Sequence, residues 1–365
     1  MILSANASQV RDLANMTTKI TNNTNNFNSS RIQDDVRSAI RSNLDGDLPF
    51  LDEVADHIIE ANPWLERSLL LITTGLLLGA KEEELVHTAA SIEYLHAASV
   101  LHENIVEIEE FRRTGQEMSG IWGNETSVLL GDYLLSVAFK KLTALGSLEV
   151  LESVSRATKK IAKGQVLEIS PMQKSVSEGM NTESADGIKG RHKERYFEVM
   201  SNRRASLFGA AARSGGIWGE ASAKDIDALR LFGFHWGAAL ALKKEWPMQS
   251  SPEDVMGKWN CGQLTFIMCH FRDQIEISAE QDEADSSNGQ DFTQFLEEFQ
   301  KIEWDLNITK FMLDGARQND MSMMLEFAFN QQLDFARQAM ENCDSSALNL
   351  GLTSLCGLTP LKTND

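Results

Sequence analysis

The sequence predicts an all-α protein whose helices form one domain. Apolar residues recur at a spacing near 3.6 through most of the chain, whereas alternating runs rich in Val, Ile and Thr are scarce. The prolines leave two proline-free spans of roughly a hundred residues, which helices can occupy without kinks. With 365 residues, the chain is long enough to bury a large core as a single unit.

The predicted elements begin after a polar stretch. Residues 1–30 end in TNNTNNFNSS and predict a flexible N-terminal arm, and residues 31–365 predict a single all-α domain. The most apolar run, LLLITTGLLLGA at 69–80, is too short to span a membrane and predicts a buried helix. The polar stretches at 170–193 and 279–291 predict loops. The predicted helices are 31–43, 50–61, 64–79, 82–113, 123–143, 147–168, 192–214, 222–245, 253–278, 290–314, 320–341 and 345–356.

The charge balance of the sequence argues against some classes of binding partner. Lys and Arg number 34 against 53 Asp and Glu, a net charge of −19, so the basic footprint of a nucleic-acid-binding protein is absent. The four cysteines form no CxxC pair or zinc-like spacing, which is typical of free thiols in a reducing compartment. We therefore expect an intracellular, cytoplasmic protein without a transmembrane segment. The alternative, for a eukaryotic source, is a mitochondrial presequence within the N-terminal arm.

A candidate metal and anion site lies in the segment HENIVEIEEFRRTG at 102–115. Glu103 and Glu107 stand one helical turn apart, with Asn104 beside the first. Oxygen ligands at this spacing suit Mg²⁺, which proteins often hold through one or two carboxylates plus substrate phosphates. The paired guanidinium groups of Arg112 and Arg113 suit a diphosphate. The other interpretation is a solvated acidic helix face, since two more glutamates follow.

The chain resembles the trans-isoprenyl diphosphate synthases, or polyprenyl synthetases. The resemblance lies in ELVHTAASIEYLHAASVLHENIVEIEEFRRTG, WGNETSVLLGDYLLSVAF, RYFEVMSNRRASLFGAAARSGG and LRLFGFHWGAALALKKE, and it covers most of residues 64–345. It implies an isoprenoid synthase-type bundle of long helices around a deep central cavity. It also implies a reaction in which an allylic diphosphate ionises with the help of Mg²⁺ held by two aspartate-rich motifs.

The resemblance places the first aspartate-rich motif, DDxxD, at residues 103–107. Glu103, Asn104 and Glu107 take its acidic positions, so the implied Mg²⁺ site is weakened. The arginine pair that follows the motif in the family is intact here.

Further diphosphate contacts are implied by the resemblance. His96 matches a family position near isopentenyl diphosphate, and Gln165 matches a family glutamine. Arg203 takes the place of a family lysine and keeps its positive charge. The family's Gly-Lys-Arg clamp for isopentenyl diphosphate falls at Pro-Trp-Leu, residues 63–65, and is lost.

The second aspartate-rich motif would begin at Lys244, where the sequence reads KEWPM. A cation at the position of a metal-binding carboxylate repels Mg²⁺. Lys243 and Lys244 would instead contact a diphosphate directly and replace a metal ion.

Three functions are compatible with this pattern. Because the loss of one well-placed electrostatic group typically costs about 10²–10³ in rate, the eroded motifs favour a non-catalytic or regulatory subunit of a heteromeric prenyl diphosphate synthase. The alternatives are an active divergent prenyltransferase that uses Mg²⁺ at residues 103–107, and a protein that binds a prenyl diphosphate or lipid without turnover. The resemblance implies a prenyl diphosphate ligand and a homo- or heterodimer with a catalytic synthase.

Overall fold

The structure is a computed structural model of the chain. It describes residues 29–44, 50–114, 123–169, 192–246, 264–269, 273, 315–345, 348 and 352. The predicted N-terminal arm lies outside these residues except for its last two, with which the first helix begins. Of the predicted helices near the C-terminal end, 290–314 lies outside the described residues. The predicted helix 253–278 is described only in part, with residues 266–269 helical.

The described part of the chain is helical and contains no strand, as the sequence predicts. The helices are α1 Ser29–Asn43, α2 Leu51–Ala61, α3 Glu66–Leu77, α4 Glu82–Thr114, α5 Asn124–Ala144, α6 Leu148–Ile169, α7 His192–Met200, α8 Ser206–Trp218, α9 Ala223–Glu245 and α10 Gly315–Glu341. A π-helical turn, Ser201–Ala205, joins α7 to α8.

The π-helical turn is the main departure from the predicted elements. The sequence predicts one helix over 192–214, whereas the structure interrupts it at Ser201–Ala205. A π turn places one more residue in a turn than an α-helix does, so it rotates the side chains that it carries. The spacing of apolar residues cannot show such a change, because only the packing partner decides it.

Two hydrophobic cores meet at α3. One core is formed by residues of α1 to α6 with part of α8, and the other by α7 to α10. Leu71 and Ile72 of α3 belong to the first core, and Leu70 belongs to the second. Residues 67–75 of α3 are all buried, which confirms the predicted buried helix over this part of 69–80. The charged side chain of Arg67, near the start of α3, is therefore buried.

The longest of the described helices, α4, extends along the bundle beside these cores. Its 33 residues correspond to a length of about 50 Å. Its first turns contribute buried side chains such as Leu85 and Ile92, whereas Glu103 is partly exposed. Within the described ranges, no helix is both long enough and apolar enough to cross a membrane.

Candidate functional site

The first charge cluster joins α4, α6 and the π-helical turn. We call it the Arg203 cluster, and its residues are Glu103, Glu168 and Arg203. The guanidinium of Arg203 forms ion pairs with both carboxylates, and its side chain is only 6% exposed. One forked, permanently charged guanidinium can serve two carboxylates at once. Glu103 therefore already has an internal cation at the position where the sequence predicts a metal ligand.

A glycine of α6 makes room for the π-helical turn. A Cβ atom on Gly164 would lie 2.6 Å from Cγ of Arg203 and 3.1 Å from the backbone nitrogen of the same residue. A contact with backbone at such a distance cannot be relieved by a rotamer change. The close approach of α6 and the π turn brings Arg203 between its two carboxylates.

Two hydrogen bonds hold α6 in register with its neighbours. One oxygen of Glu168 accepts a hydrogen bond from the backbone N–H of Leu264 at 3.0 Å. The side-chain amide of Gln165 donates to the backbone carbonyl of Ser99 at 2.9 Å. Gln165, a predicted diphosphate contact, thus lies beside the Arg203 cluster and ties α6 to α4.

The second charge cluster lies nearer the start of α4. We call it the Lys244 cluster, and its residues are Glu66, Arg67, Glu93, Arg204 and Lys244. Nη1 of Arg67 is 3.7 Å from Oε2 of Glu93. Nζ of Lys244 is 3.9 Å from Oε2 of Glu66. The charge of Arg204 acts on both of the other cations. Three cations therefore face two carboxylates in this cluster.

Arg67 is the buried cation of the Lys244 cluster. Its guanidinium carbon lies 4.8 Å from the ring centroid of Phe208, a cation–π contact. Its neighbour Glu93 accepts hydrogen bonds from the hydroxyl of Ser68 at 2.8 Å and from the amide of Asn62 at 3.2 Å. Nε and Nη1 of Arg67 have no hydrogen-bond partner in the part of the chain that the structure describes. This charged side chain thus keeps unused donors in the interior.

The positive charges of the cluster change the protonation of their surroundings. The pKa of Lys244 is lowered, first by the partial desolvation that neighbouring helices impose on a side chain that is still 57% exposed; the carboxylate of Glu66 opposes the shift, and Arg67 and Arg204 add to it. Burial also lowers the pKa of His96 well below its ordinary value, and the charges of Arg67, Lys244 and Arg204 lower it further. His96 is therefore neutral at pH 7 and lies among the cations, and its contact with a diphosphate stays a prediction.

The acidic residue next to Lys244 is also engaged within the protein. Glu245 is buried, and its carboxylate accepts a hydrogen bond from the hydroxyl of Tyr196 at 2.6 Å. Its second oxygen accepts the backbone N–H of Phe266 at 2.7 Å. Burial and the charge of Glu245 raise the pKa of the Tyr196 hydroxyl well above its ordinary value, so this hydroxyl stays a hydrogen-bond donor. The hydrogen bond between Tyr196 and Glu245 thus links α7 to α9.

The remaining predicted site residues lie on helices that reach the clusters. Helix α4 continues to Thr114 and so carries the whole predicted motif. The side chains of four predicted residues lie outside the described part of the chain: Asn104, Glu107, Arg112 and Arg113. Lys243 precedes Lys244 on α9 and is half-buried.

The described carboxylates at the two motif positions do not fit a Mg²⁺ ion. Glu103 is paired with Arg203, Glu245 is hydrogen-bonded by Tyr196, and Lys244 brings a positive charge. No group of three or more His, Cys, Asp or Glu side chains that could hold a metal ion occurs among the residues described. The magnesium site predicted for residues 103–107 stays a prediction, because two of its three side chains lie outside the described residues.

Three carboxylates of the site were not predicted from the sequence as site residues: Glu66, Glu93 and Glu168. A signal existed for Glu66, since LERSLLLITTG places two charges at the start of an otherwise apolar helix. No such signal existed for Glu168, which lies on a helix with many exposed charges.

Comparisons with known proteins identify the class that this fold and site define. A sequence profile of the family described as polyprenyl synthetase matches residues 48–282. The chain belongs to the polyprenyl synthetase family, as the resemblance implies. Octaprenyl diphosphate synthase of Escherichia coli (strain K12) is 29% identical over 223 residues, which cover 61% of this chain and 65% of the relative. The chain therefore spans just under two thirds of the length of that relative.

Solved structures agree on the fold. A decaprenyl diphosphate synthase from Rhodobacter capsulatus superposes with a TM-score of 0.66 at 24% identity, covering 94% of this chain and 97% of that chain. A polyprenyl synthase from Caulobacter crescentus CB15, solved with calcium and isoprenyl diphosphate, superposes with a TM-score of 0.68 at 20% identity, covering 94% and 96%. At these identities the likeness shows the fold alone. The predicted all-α isoprenoid synthase fold is confirmed.

Proposed function

We propose that this chain is a non-catalytic or regulatory subunit of a heteromeric prenyl diphosphate synthase. The observation that carries the proposal is the pairing of Arg203 with Glu103 and Glu168. A carboxylate that already neutralises a buried guanidinium is a poor ligand for Mg²⁺, because the metal would have to displace that cation from one of its two carboxylates.

The opposite side of the site supports the same proposal. Lys244 stands where the family begins its second aspartate-rich motif, and its ammonium group lies 3.9 Å from a carboxylate oxygen of Glu66. Glu245 stabilises the contact between α7 and α9 through Tyr196. Both motif positions thus serve internal contacts, whereas the helices and cores of the family fold are kept. A subunit that assembles with a catalytic homologue needs the fold and not the metal ligands.

The test is a comparison of the chain alone with the chain plus a partner. Purified full-length protein is incubated with geranyl diphosphate, isopentenyl diphosphate and Mg²⁺, and prenyl products are separated by chain length. We expect no elongation by this chain alone. A homologue that carries both intact aspartate-rich motifs should co-elute with it, and the mixture should differ from the homologue alone in rate or in product length.

A matched control assigns the turnover to one subunit. The first aspartate of the partner's first motif is replaced by alanine, and the mixture is assayed again. All elongation should then disappear. Elongation that persists, or elongation by the lone chain, would contradict the subunit role and support the active divergent prenyltransferase. In that case Glu103→Gln in this chain should abolish the activity.

A further inference from the structure

The Arg203 cluster places one positive charge between two negative charges that come from different helices. Glu103 lies on α4, Glu168 lies on α6, and Arg203 lies on the π-helical turn, from which its guanidinium forms an ion pair with each carboxylate. Carboxylates from separate elements that share one cation are also what a divalent ion needs. In this cluster the shared cation is a side chain of the protein itself.

The surroundings hold this cation in a fixed place. The side chains of Arg203 and Glu168 are 6% and 9% exposed, so both charges are buried. The oxygen of Glu168 that does not face Arg203 accepts the backbone N–H of Leu264 at 3.0 Å. Nζ of Lys163 lies 3.0 Å from a carboxylate oxygen of Glu198, which links α6 to α7 just before the π-helical turn. A side chain held from several directions in this way cannot move aside cheaply.

The shape of the guanidinium suits a bridge between two helices. Nη2 of Arg203 faces Glu103, and Nη1 faces Glu168. The two ends of the planar fork therefore serve one carboxylate each, which the compact ammonium group of a lysine could not do in the same way. A guanidinium also keeps its charge at every pH at which proteins are folded, so this bridge carries a permanent positive charge.

We propose that Arg203 is a built-in substitute for a divalent cation, which joins α4 to α6 through Glu103 and Glu168 and excludes Mg²⁺ from this pair of carboxylates. A divalent ion that approached the pair would be repelled by the buried guanidinium. Without that guanidinium, two carboxylates would face each other, and Glu103 is 23% exposed, so an ion from solvent could reach them. The inference deepens the proposed function and rests on it, since it names the residue that keeps the metal out.

The test is the binding of Mn²⁺, a paramagnetic ion that carboxylates hold as they hold Mg²⁺, to full-length Arg203→Gln. The free-ion signal in electron paramagnetic resonance measures the binding. Glutamine removes the charge and keeps a polar side chain, and we expect an affinity at least about tenfold higher than that of the unmodified protein. Mg²⁺ should also raise the melting temperature of Arg203→Gln by about 3 °C or more and leave that of the unmodified protein unchanged, because an ion that binds only the folded state stabilises it.

Two further variants show whether the gained ion lies between the two carboxylates. Glu168→Gln, added to Arg203→Gln, removes one ligand and should abolish both the Mn²⁺ binding and the stabilisation by Mg²⁺. The matched control is Arg156→Gln, which releases the exposed carboxylate of Glu152 on the same helix α6 and should gain neither effect. Binding of Mn²⁺ that survives the loss of Glu168 would overturn the proposal.

The same prediction holds where Arg203→Gln does not fold in EDTA. Mg²⁺ should then restore the yield of folded protein on refolding, and an equal yield with and without Mg²⁺ would overturn the proposal. So would an unmodified protein that Mg²⁺ stabilises as strongly as it stabilises Arg203→Gln. These measurements use neither prenyl substrates nor a partner subunit. Elongation by the lone chain would therefore contradict the subunit role without changing the metal measurements, and the two proposals can fail separately.

Discussion

Two charge clusters lie along α4, and they differ in how completely their cations are paired with carboxylates. In the Arg203 cluster, one buried guanidinium is enclosed by the carboxylates of Glu103 and Glu168. In the Lys244 cluster, three cations face two carboxylates, and Lys244 itself is open to solvent. The cation of the first cluster is paired with two carboxylates and forms a structural contact. The second cluster keeps an excess of positive charge. Similar residue types in one bundle thus form closed ion pairs at one place and leave an excess of charge at another.

The largest expected effect comes from removing the enclosed cation. Arg203→Ala leaves two carboxylates without their guanidinium, and we expect the free energy of unfolding to fall by about 3 kcal/mol or more. Urea denaturation measures the loss. The control is Arg156→Ala, which breaks the exposed pair between Arg156 and Glu152 and should cost less than about 1 kcal/mol. Equal losses in the two variants would show that the Arg203 cluster is not a buried contact.

A smaller loss is expected from crowding the same cluster without changing its charge. In Gly164→Ala, the new methyl group would collide with Arg203, and the resulting strain should exceed the gain in helix propensity. We expect a net loss of about 1–2 kcal/mol in the free energy of unfolding. Gly123→Ala is the control, because a Cβ atom there meets nothing within 4 Å. If Gly164→Ala were stabilising, the close approach of α6 and the π turn would be refuted.

The lowered pKa of His96 should appear in the pH dependence of stability. Burial lowers this pKa most, Arg67 from α3, Lys244 from α9 and Arg204 from the π turn lower it further, and His96 stays neutral in the folded protein. Below a pH of about 6.5 the unfolded chain takes up a proton that the folded protein does not, so stability falls as pH falls.

Replacement of this histidine isolates its contribution. His96→Asn should reduce the loss of stability between pH 7.5 and pH 5.5, as measured by urea midpoints at the two values. The midpoints at pH 7.5 serve as an internal reference, because histidine is neutral in both states there. An unchanged pH dependence in His96→Asn would mean that neither burial nor the cations of the Lys244 cluster lower the pKa of this residue.

The smallest expected effect on stability is that of Lys244→Met. The ammonium group is exposed and only loosely paired, so its removal should change the free energy of unfolding by less than about 0.5 kcal/mol. The measurement is the same urea titration as for Arg203→Ala. A loss comparable with that of Arg203→Ala would place both cations in structural roles and remove the distinction between the two clusters.

Much of the scaffold could be predicted from periodicity, and little of the site could. The apolar run at 69–80 is a reliable signal of a buried helix, and α3 confirms it over residues 69–75. The predicted helix at 192–214 is helical throughout, but it contains a π turn at Ser201–Ala205 that periodicity does not reveal and against which Gly164 packs closely. Arg203 was predicted as a diphosphate contact, and in the structure its partners are Glu103 and Glu168. Sequence spacing places Arg203 on a helix but cannot choose its partner.

The order of residues along the chain is enough for the all-α class and the family, because helix periodicity and motif chemistry are local properties. Which carboxylate meets which cation is a property of packing. Arg203 pairs with Glu103, which lies one hundred positions earlier in the sequence. Lys244 of α9 pairs with Glu66, which lies on α3. Electrostatic energy depends on distance and burial, and both are set only when the helices pack together. Tertiary structure therefore decides which of the charged residues form buried ion pairs and which keep charge that no neighbouring residue balances.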